Sequence, residues 1–456
     1  MLSQSFCSLC NDKGLKLASK VENMEYLEEL KIAVIGLGYV GLPLAQLFAS
    51  KYKVVGFDID SQRIADLSIG VDTIGILSRE ELDSVLLRVS PFDNSSNNGL
   101  YFSDCSNDIA AANVYILTIP TPVDNKKKPD LTLLFDACKT VSKYLQQDDV
   151  VIFESTVYPG LTEEECVPLL EAGSGLIYNQ NFFVGYSPER VNPGDKSRTI
   201  AQIQKITSGS NPEIARRVDV LYKSVISSGT YLAPSIKVAE AAKVIENTQR
   251  DINIAFVNEL AKIFNLLDID THEVIKAAST KWNFMPFYPG LVGGHCIGVD
   301  PYYLSYKAQE MGYHPEMILA GRRINDSMGE YVASQVVKLL VKKNIVVNNA
   351  SVLILGIAFK ENCADVRNSK VVDMVKSLTE YGVKVQIYDP VVSSNDVWKA
   401  YHLRVTDNID DKHYDAIVLA VAHELFRTIE LEKYSNENVV IYDCKNFLEH
   451  KVDGRL

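Results

Sequence analysis

The segment KIAVIGLGYVG, residues 31–41, decides how the first part of the chain folds. Its apolar run KIAVI ends at Gly36, and the residues after Gly41 favour a helix, so the segment predicts a strand, a tight turn and a helix. A second apolar run, KVVGF, ends just before Asp58 and completes a strand, helix, strand unit. The spacing GxGxxG at such a turn is typical of a loop that binds a phosphate group through free backbone N–H groups.

The three glycines of this turn have different tasks, and together with Asp58 they predict the cofactor. Gly36 permits the sharp turn, Gly38 lets the backbone approach a pyrophosphate, and Gly41 brings the helix close to the strand. The Asp58 carboxylate is placed to accept hydrogen bonds from both ribose hydroxyls of an adenosine. Its charge would repel the additional phosphate of NADP, although Arg63 lies close enough to offset that charge. We therefore predict NAD.

Further apolar runs divide the rest of the chain. VYIL from Val114 and VVIF from Val150 continue a parallel sheet, long helix-forming stretches follow, and SVLIL from Ser351 restarts the strand pattern. The sequence predicts an α/β protein with two Rossmann-like, doubly wound α/β domains that are joined by a central helical domain. We place an N-terminal extension at residues 1–30, the first α/β domain at 31–206, the helical domain at 207–345 and the second α/β domain at 346–456.

Composition limits the classes of partner and the cellular compartment. A net charge of -12 over 456 residues argues against a nucleic-acid-binding surface, and no apolar run is long enough for a membrane helix. Eight scattered cysteines and the lack of a secretory signal favour a cytoplasmic protein with reduced thiols. Cys7 and Cys10 form one isolated CxxC; a metal or redox role is the alternative to a loosely ordered extension, and we predict no metal site.

A loop rich in glycine and proline, residues 281–301, carries a candidate nucleophile. Cys296 follows Gly293 and Gly294, which leave room beside its sulfur, and an accessible thiolate is a good nucleophile. His295 would lower the pKa of the thiol if it were protonated, and Asp300 is placed to exchange a proton or orient water. The alternative is a buried structural thiol, which is common.

Three polar residues share one face of a predicted helix. Lys243, Asn247 and Arg250 follow one another at helical spacing, and Lys with Asn is suited to stabilise a developing oxyanion, although most such stripes are solvated surfaces. Lys360 and Arg367 suit an anionic ligand or surface ion pairs. Two threonines end strands and contact either the cofactor or a loop: Thr121 and Thr156.

The motifs together resemble a known family. From Lys31 onward GLGYVGLP, PTP, EST, SPERVNPG, KVIENTQRD, GGHCIGVDPYYL and FKENCADVR occur in the order found in the nucleotide-sugar 6-dehydrogenases. The chain is most similar to the branch that acts on UDP-N-acetylhexosamines, especially the UDP-N-acetylglucosamine 6-dehydrogenases of Vi-type polysaccharide synthesis. This resemblance implies oxidation of C6 from alcohol to acid through a thiohemiacetal and thioester, with NAD as cofactor, a UDP-sugar as substrate and a product for surface polysaccharide.

The resemblance also assigns roles to residues and domains. It implies that the central domain forms a homodimer and carries the catalytic loop, and that the C-terminal domain binds the UDP-sugar. The implied catalytic residues are Cys296, Lys243, Asn247, Asp300 and Glu189. The implied cofactor residues are Gly36, Gly38, Tyr39, Val40, Gly41, Asp58, Arg63, Thr121, Thr156 and Arg367. The implied substrate residues are Arg190, Val191, Lys243, Asn247, Arg250, Gly293, Phe359, Lys360 and Lys445, with Arg323 reaching the partner's site.

The sugar is constrained by departures from the relatives. Enzymes of this family that act on UDP-N-acetylmannosamine carry a His-x-Arg pair before the cysteine loop, where this chain has TKW at residues 280–282. Relatives acting on UDP-glucose usually have a small residue in place of His295. We expect UDP-N-acetylglucosamine, with its galacto epimer or UDP-glucose as alternatives. Two rival classes are a dehydrogenase that performs a single oxidation, which leaves Cys296 unexplained, and a non-catalytic NAD-binding regulator.

Overall fold

The computed structural model describes residues 27–93, 97–124, 126–191, 198–449 and 451–456. The chain separates into two compact units, Met1–Val244 and Ile245–Leu456. Cys7 and Cys10 and most of the predicted N-terminal extension lie outside the described residues. Within the described ranges, no helix is both long enough and apolar enough to cross a membrane.

The first unit is built on a mostly parallel sheet with the strand order β3-β2-β1-β4-β5-β6-β7-β8. Its strands are β1 Lys31–Ile35, β2 Lys53–Phe57, β3 Gly99–Ser103, β4 Val114–Leu117, β5 Asp149–Phe153, β6 Phe182–Tyr186, β7 Lys205–Gly209 and β8 Thr230–Leu232. The direction of winding reverses between β1 and β4, so the turn after β1 opens at a switch point, where α/β proteins bind their ligands. β7 is antiparallel to β6 and parallel to β8.

Helices cover this sheet because its strands are apolar on both faces. They are α1 Gly41–Ala49, α2 Ser61–Ser68, α3 Arg79–Asp83, α4 Thr132–Ser142, α5 Val167–Ser174 and α6 Pro212–Val225. Phe48 of α1 and Tyr222 of α6 pack edge to face in the core, with ring centroids 5.4 Å apart. Asp60 caps α2 by accepting hydrogen bonds from the backbone N–H groups of Gln62 and Arg63 at 3.0 and 3.1 Å.

A long helix, α7 Ile236–Leu266, contains the boundary between the units. The second unit then continues with α8 Thr271–Ala278, α9 Asp300–Glu310, α10 Glu316–Asp326, α11 Met328–Lys342, α12 Val371–Glu380 and α13 Ser394–Tyr401. Its parallel sheet has the order β11-β10-β9-β12-β13-β14. The strands are β9 Ser351–Leu355, β10 Lys384–Tyr388, β11 Val405–Thr406, β12 Ala416–Leu419, β13 Val440–Asp443 and β14 Gly454–Arg455.

The fold class predicted from the sequence is confirmed, and the strands at Lys31, Lys53, Val114, Asp149 and Ser351 lie where the apolar runs indicated. The first sheet also continues past residue 206 through the end of β7 and β8. The apolar pattern did not indicate β8, because this strand is short and its residues Tyr231 and Leu232 are exposed.

The turn after β9 corresponds in position to the glycine turn after β1, but it is filled by protein atoms. A Cβ on Gly356 would lie 2.5 Å from Cβ of Val421. The Asp389 carboxylate accepts hydrogen bonds from the backbone of Ile357 at 2.7 Å and lies 3.2 Å from Nε2 of the buried His423. Side chains therefore occupy the space beside this second turn.

Candidate active site

The glycine turn of the first unit has the geometry that each glycine was expected to provide. Gly36 adopts a φ of +92°, which favours glycine. A Cβ on Gly41 would lie 1.8 Å from the carbonyl oxygen of Gly36, so only glycine allows α1 to start so close to the turn. A Cβ on Gly38 would meet no atom within 4 Å among the described residues. The backbone at Gly38 therefore borders open space, as a pyrophosphate-binding turn requires.

Asp58 and Arg63 both form hydrogen bonds with the backbone of Leu37 in this turn. The Asp58 carboxylate accepts hydrogen bonds from the backbone N–H groups of Leu37 at 2.7 Å and Asp60 at 3.0 Å. Arg63 is buried; it donates to the Leu37 carbonyl oxygen at 3.2 and 3.3 Å and forms an ion pair with Asp72 at 2.7 Å. Because the guanidinium is already engaged, Arg63 is poorly placed to offset a phosphate beside Asp58.

The two threonines that end strands interact with each other. The Thr121 hydroxyl donates a hydrogen bond to the Thr156 carbonyl oxygen at 2.7 Å, which ties the loop after β4 to the loop after β5. Thr118 adds a further link, because its hydroxyl reaches the Gly36 carbonyl oxygen at 2.7 Å. These bonds fix the edge of the sheet where the glycine turn lies.

Glu189 follows β6 and sits in a tight turn of its own. One carboxylate oxygen accepts hydrogen bonds from the backbone N–H groups of Arg190 and Val191, the first at 2.6 Å. The other oxygen lies 3.9 Å from Nζ of the buried Lys205. The Arg190 side chain donates to the Gln204 carbonyl oxygen at 2.8 Å. Glu189 is thus held rigidly, with one oxygen committed to the backbone.

In the second unit, a buried polar network fixes the start of the cysteine loop. The side chain of Asn258 on α7 exchanges two hydrogen bonds with the backbone of Gly290, at 2.8 and 3.0 Å. Asn325 on α10 contacts Asn258 at 2.8 Å and Asp251 at 2.7 Å, and Arg322 forms an ion pair with Asp251 at 2.6 Å. These hydrogen bonds form one connected buried network, which fixes the position at which the cysteine loop begins relative to α7 and α10.

The second half of the loop is clamped by the segment that follows β9. Gly294 adopts a φ of +82° and its N–H donates to the Arg367 carbonyl oxygen at 3.0 Å, while the Asn368 side chain donates back to the Gly294 carbonyl oxygen at 3.1 Å. A Cβ on Gly294 would lie 2.7 Å from the Phe359 ring, and one on Gly293 would lie 2.7 Å from the Asn368 carbonyl oxygen. Both glycines are therefore required for this close approach.

The candidate nucleophile lies between the clamp and a helix start. Cys296 is partly exposed, and its carbonyl oxygen accepts hydrogen bonds from the N–H groups of Val299 and Asp300 at 3.0 and 2.9 Å. Asp300 is buried at the start of α9 and accepts a hydrogen bond from the Asn247 side-chain amide at 2.6 Å. A partly accessible thiol, a buried carboxylate and an amide thus lie on adjoining segments.

Charged residues around this loop are paired. Arg367 forms a two-pronged ion pair with Asp365, whose other neighbour is His295, with Nδ1 3.9 Å from the carboxylate. Burial raises the pKa of Asp365, but the hydrogen bonds and charge of Arg367 outweigh burial and lower the pKa below its usual value. Asp365 therefore stays ionised and keeps Arg367 oriented.

A cavity of about 490 Å³ lies in the second unit. Gly290, Glu361 and Lys445 are among its lining residues, and so are His272 and Tyr288, whose rings stack with centroids 5.5 Å apart. Lys445 forms an ion pair with Glu361 at 2.6 Å. Burial opposes ionisation of Glu361, but the charge of Lys445 outweighs it and lowers the Glu361 pKa. The cavity offers a cation and a stacked aromatic pair to a ligand.

Comparisons with known proteins decide the family. The model of the UDP-glucose/GDP-mannose dehydrogenase family matches in three parts: its NAD binding domain at residues 30–226, its central domain at 237–327 and its UDP binding domain at 353–450. The chain belongs to the UDP-glucose/GDP-mannose dehydrogenase family. The resemblance inferred from the motifs is thereby confirmed, and so is NAD as the cofactor.

Among its curated relatives, this family member is 55% identical to the UDP-N-acetyl-D-glucosamine 6-dehydrogenase of Pseudomonas aeruginosa, over 94% of this chain and 100% of that protein. It is 52% identical to the protein of the same name from Salmonella typhi, over 92% of this chain and 97% of that protein. A solved structure, the UDP-D-ManNAc dehydrogenase of Pyrococcus horikoshii, is 32% identical with a TM-score of 0.82, over 93% of this chain and 98% of that chain.

The predicted site residues of this dehydrogenase are divided between the units. The first unit contains Gly36, Gly38, Tyr39, Val40, Gly41, Asp58, Arg63, Thr121, Thr156, Glu189, Arg190, Val191 and Lys243, of which Lys243 is buried. The second contains Asn247, Arg250, Gly293, Cys296, Asp300, Arg323, Phe359, Lys360, Arg367 and Lys445. Arg250 and Arg323 are exposed.

Some of the residues that shape these sites gave no local signal in the sequence. Glu154 and Lys205 form a buried ion pair, and Glu361, His272 and Tyr288 line the cavity beside Lys445. Their partners are distant along the chain, so spacing did not reveal them. The proline and aromatic content of residues 281–289 was the one available hint of the cavity wall.

Proposed function

We propose that this family member is an NAD-dependent UDP-N-acetylglucosamine 6-dehydrogenase, which oxidises C6 of its substrate from an alcohol to a carboxylic acid. The observation that carries the proposal is the arrangement at Cys296, where Asp300 begins a helix four residues later and binds Asn247 at 2.6 Å. A single oxidation of an alcohol needs no nucleophile, whereas retention of an aldehyde between two oxidations does. The 55% and 52% identical relatives carry this activity in their names.

The chain's own residues hold NAD through the glycine turn, with Asp58 at the adenosine ribose. When it is bound, NAD supplies the acceptor for each of the two hydrides that leave C6. In the first oxidation the C6 hydroxyl loses a proton and a hydride and becomes an aldehyde. The Cys296 thiolate then forms a C–S bond to the aldehyde carbon, while Lys243 and Asn247 stabilise the negative charge on its oxygen.

The second oxidation removes the remaining hydride from the thiohemiacetal and leaves a thioester on Cys296. Water then attacks the thioester carbon, the C–S bond breaks, and Cys296 leaves as a thiolate. Asp300 and Glu189 are the carboxylates proposed to orient this water and accept its proton. Overall one substrate, two NAD and one water give the uronic acid, two NADH and two protons, before ionisation of the acid.

The cavity beside Lys445 is the proposed place for the nucleotide end of the substrate. Four of its lining residues fall within the part of the chain that matches the family's UDP binding domain: Glu361, Ala422, Lys445 and Asn446. The ammonium group of Lys445 suits a diphosphate, and a stacked ring pair such as His272 and Tyr288 suits a planar base. We propose that residues 346–456 bind the UDP-sugar, that 31–206 bind NAD and that 207–345 supply the catalytic loop.

The specificity for the sugar can be tested with a panel of UDP-sugar substrates. Purified protein, NAD and each of UDP-N-acetylglucosamine, UDP-N-acetylgalactosamine, UDP-N-acetylmannosamine and UDP-glucose are compared by kcat/KM, with mass spectrometry of the products. We expect the highest value for UDP-N-acetylglucosamine and formation of its uronic acid, as a precursor of surface polysaccharide. A higher value for UDP-N-acetylmannosamine or UDP-glucose would refute the assignment.

We also propose a cytoplasmic homodimer that forms through the central helices. Ile245, Phe256 and Ile263 follow one another along one face of α7 and are 53%, 57% and 43% exposed, which is unusual for large apolar residues. Light scattering of the intact protein should give twice the chain mass. Phe256→Glu should give the monomer mass, whereas Leu133→Glu, at an exposed apolar position of α4, should not.

A further inference from the structure

A buried ion pair lies next to Glu189 in the first unit. Glu154 follows β5 and Lys205 begins β7, and each is at most 1% exposed. The Lys205 ammonium donates a hydrogen bond to one Glu154 oxygen, and the Tyr222 hydroxyl of α6 donates to the other. Burial of an ion pair costs free energy unless its remaining hydrogen-bonding groups are satisfied, so the presence of this buried pair requires an explanation.

Lys205 also holds the turn that presents Glu189. Its Nζ donates to the carbonyl oxygens of Pro188 at 3.0 Å and Ser187 at 3.3 Å. An ammonium group has three N–H donors, and Glu154, Pro188 and Ser187 account for them. The nearer Glu189 oxygen, 3.9 Å from Nζ, therefore receives the charge of Lys205 without taking up one of its hydrogen bonds.

The Glu189 oxygen nearer to Lys205 differs from the other carboxylate oxygen in its hydrogen bonding. It is buried, and among the described residues no group donates a hydrogen bond to it, whereas the other oxygen is occupied by two backbone N–H groups. A buried carboxylate oxygen requires a donor, and water is the donor that the hydrolysis step brings. The charges of Glu154 and Lys205 thus act on the Glu189 oxygen that can accept a hydrogen bond from water.

We propose that Lys205 and Glu154 are positioning residues for Glu189. Lys205 fixes the turn and compensates the charge of the Glu189 carboxylate, while Glu154 takes a share of the positive charge of Lys205 and so modulates that compensation. The inference rests on the proposed function, because it assigns Glu189 to thioester hydrolysis. It concerns only the last step, in which water loses a proton to the carboxylate and the C–S bond to Cys296 breaks.

The electrostatics give this arrangement a pH dependence. Burial, together with the charge of Glu189, raises the pKa of Glu154 to about 7, although the charge of Lys205 and the Tyr222 hydrogen bond act to lower it. Below pH 7 Glu154 is neutral, so the positive charge of Lys205 acts on the Glu189 carboxylate alone and compensates it most fully, which slows proton transfer from water. Above pH 7 Glu154 is ionised and shares the charge of Lys205, which weakens the compensation of Glu189 and speeds proton transfer from water to its carboxylate.

The test follows decay of the thioester. The full-length protein is loaded with UDP-N-acetylglucosamine and NAD, quenched at intervals between pH 6 and pH 9, and the adduct on Cys296 is measured by intact mass. In the parent protein we expect the hydrolysis rate to rise through pH 7. Glu154→Gln, which keeps the shape and remains neutral, should lose this rise and hydrolyse about three- to tenfold more slowly at pH 8.5.

Substitution of Lys205 should change the pH profile of thioester hydrolysis in the opposite direction to Glu154→Gln. Lys205→Met removes the charge that compensates the Glu189 carboxylate, so hydrolysis should fail at low pH and recover at high pH. Lys205→Arg retains the charge and should restore most of the parent profile, which a merely structural role of the position does not predict. If Lys205→Met does not fold, the Glu154→Gln profile decides alone.

Asp219→Asn is the matched control. Asp219 is a buried carboxylate of α6 that is paired with Lys223 and accepts hydrogen bonds from two threonines, and it makes none of the contacts of Glu189. Its substitution should leave the pH profile unchanged. An unchanged profile in Glu154→Gln would overturn the positioning role while the thioester remains. A parent protein that never forms an adduct on Cys296 would overturn the proposed function and this inference with it.

Discussion

The side-chain amide of Asn247 donates a hydrogen bond of 2.6 Å to the carboxylate of Asp300. Asn247 lies in the middle of the long helix α7, where asparagine is a poor helix former, and Asp300 begins α9 four residues after Cys296. The bond orients both groups toward a common function and explains why an amide is present at that helix position. It links the predicted oxyanion residue to the predicted water-handling residue.

Asn247→Asp tests this relationship. Two carboxylates would replace the hydrogen bond, and their repulsion would displace Asp300 or force it to take up a proton. We expect kcat to fall by about 100-fold with a small change in KM, as for loss of an oxyanion donor. Gln249→Glu is the control and should retain activity, because Gln249 is exposed and lies two residues further along the same helix, on a different face from Asn247. Retention of kcat by Asn247→Asp would remove the amide from the mechanism.

The glycine turn gives a pair of substitutions with opposite effects. Gly38→Ala places a methyl group in open space, so the thermal stability of the free protein should be almost unchanged while the Kd for NAD rises. Gly41→Ala places a methyl group 1.8 Å from the Gly36 carbonyl oxygen, so it should destabilise the free protein itself. Calorimetry of both variants with and without NAD separates the two effects. Unchanged NAD binding in Gly38→Ala would mean that the cofactor does not approach this backbone.

Asp58 and Arg63 predict the preference between cofactors. The Asp58 carboxylate is fixed by two backbone N–H groups, and the Arg63 guanidinium is engaged with Asp72 and Leu37. A ribose phosphate there would meet an uncompensated negative charge, so kcat/KM should be at least about tenfold higher with NAD than with NADP. Asp58→Asn should lower the ratio of kcat/KM with NAD to kcat/KM with NADP. A preference of the parent protein for NADP would contradict the role given to Asp58.

Asp149 makes stability depend on pH. Burial raises the pKa of this carboxyl from 3.8 to about 7, against the lowering effect of the hydrogen bond from Gln146. The folded state therefore binds the proton more tightly than the unfolded state, so this stabilisation is complete below the unfolded pKa and is lost as pH rises through 7. The melting temperature should fall less between pH 5.5 and pH 8 in Asp149→Asn than in the parent. Equal falls in both proteins would show that Asp149 does not make this contribution.

The parts of the fold and site that the sequence predicted are those governed by local rules. Gly36, Gly38 and Gly41 could be assigned because each conformation follows from a few neighbouring residues, and the apolar strands followed from their own pattern. Glu154 and Lys205 could not be paired, because Glu154 follows β5 and Lys205 begins β7, and these strands, with β6 between them, come near one another only in the folded sheet. Strand β8 was missed for a different reason: it has only three residues, and its two apolar ones, Tyr231 and Leu232, are exposed, so it has no buried apolar run.

The polar network under the cysteine loop also escaped prediction. Asp251 and Arg322 are buried charges, and buried charges occur where a distant partner compensates them. Sequence spacing on α7 and α10 gives each helix face but not the pairing of the two helices. The same limit applied to the cavity beside Lys445, whose walls come from segments far apart in the chain.

The central claim is that one enzyme removes two hydrides from C6 and holds the intermediate on Cys296. The most direct measurement is the number of NADH molecules formed per UDP-N-acetylglucosamine consumed, with the product and the protein mass recorded in parent, Cys296→Ser and Cys363→Ser. We predict two NADH per uronic acid in the parent and in Cys363→Ser, and no accumulation of uronic acid in Cys296→Ser, with or without a stable ester on the serine. One NADH per sugar in the parent, or uronic acid formed at the parent rate by Cys296→Ser, would contradict the account.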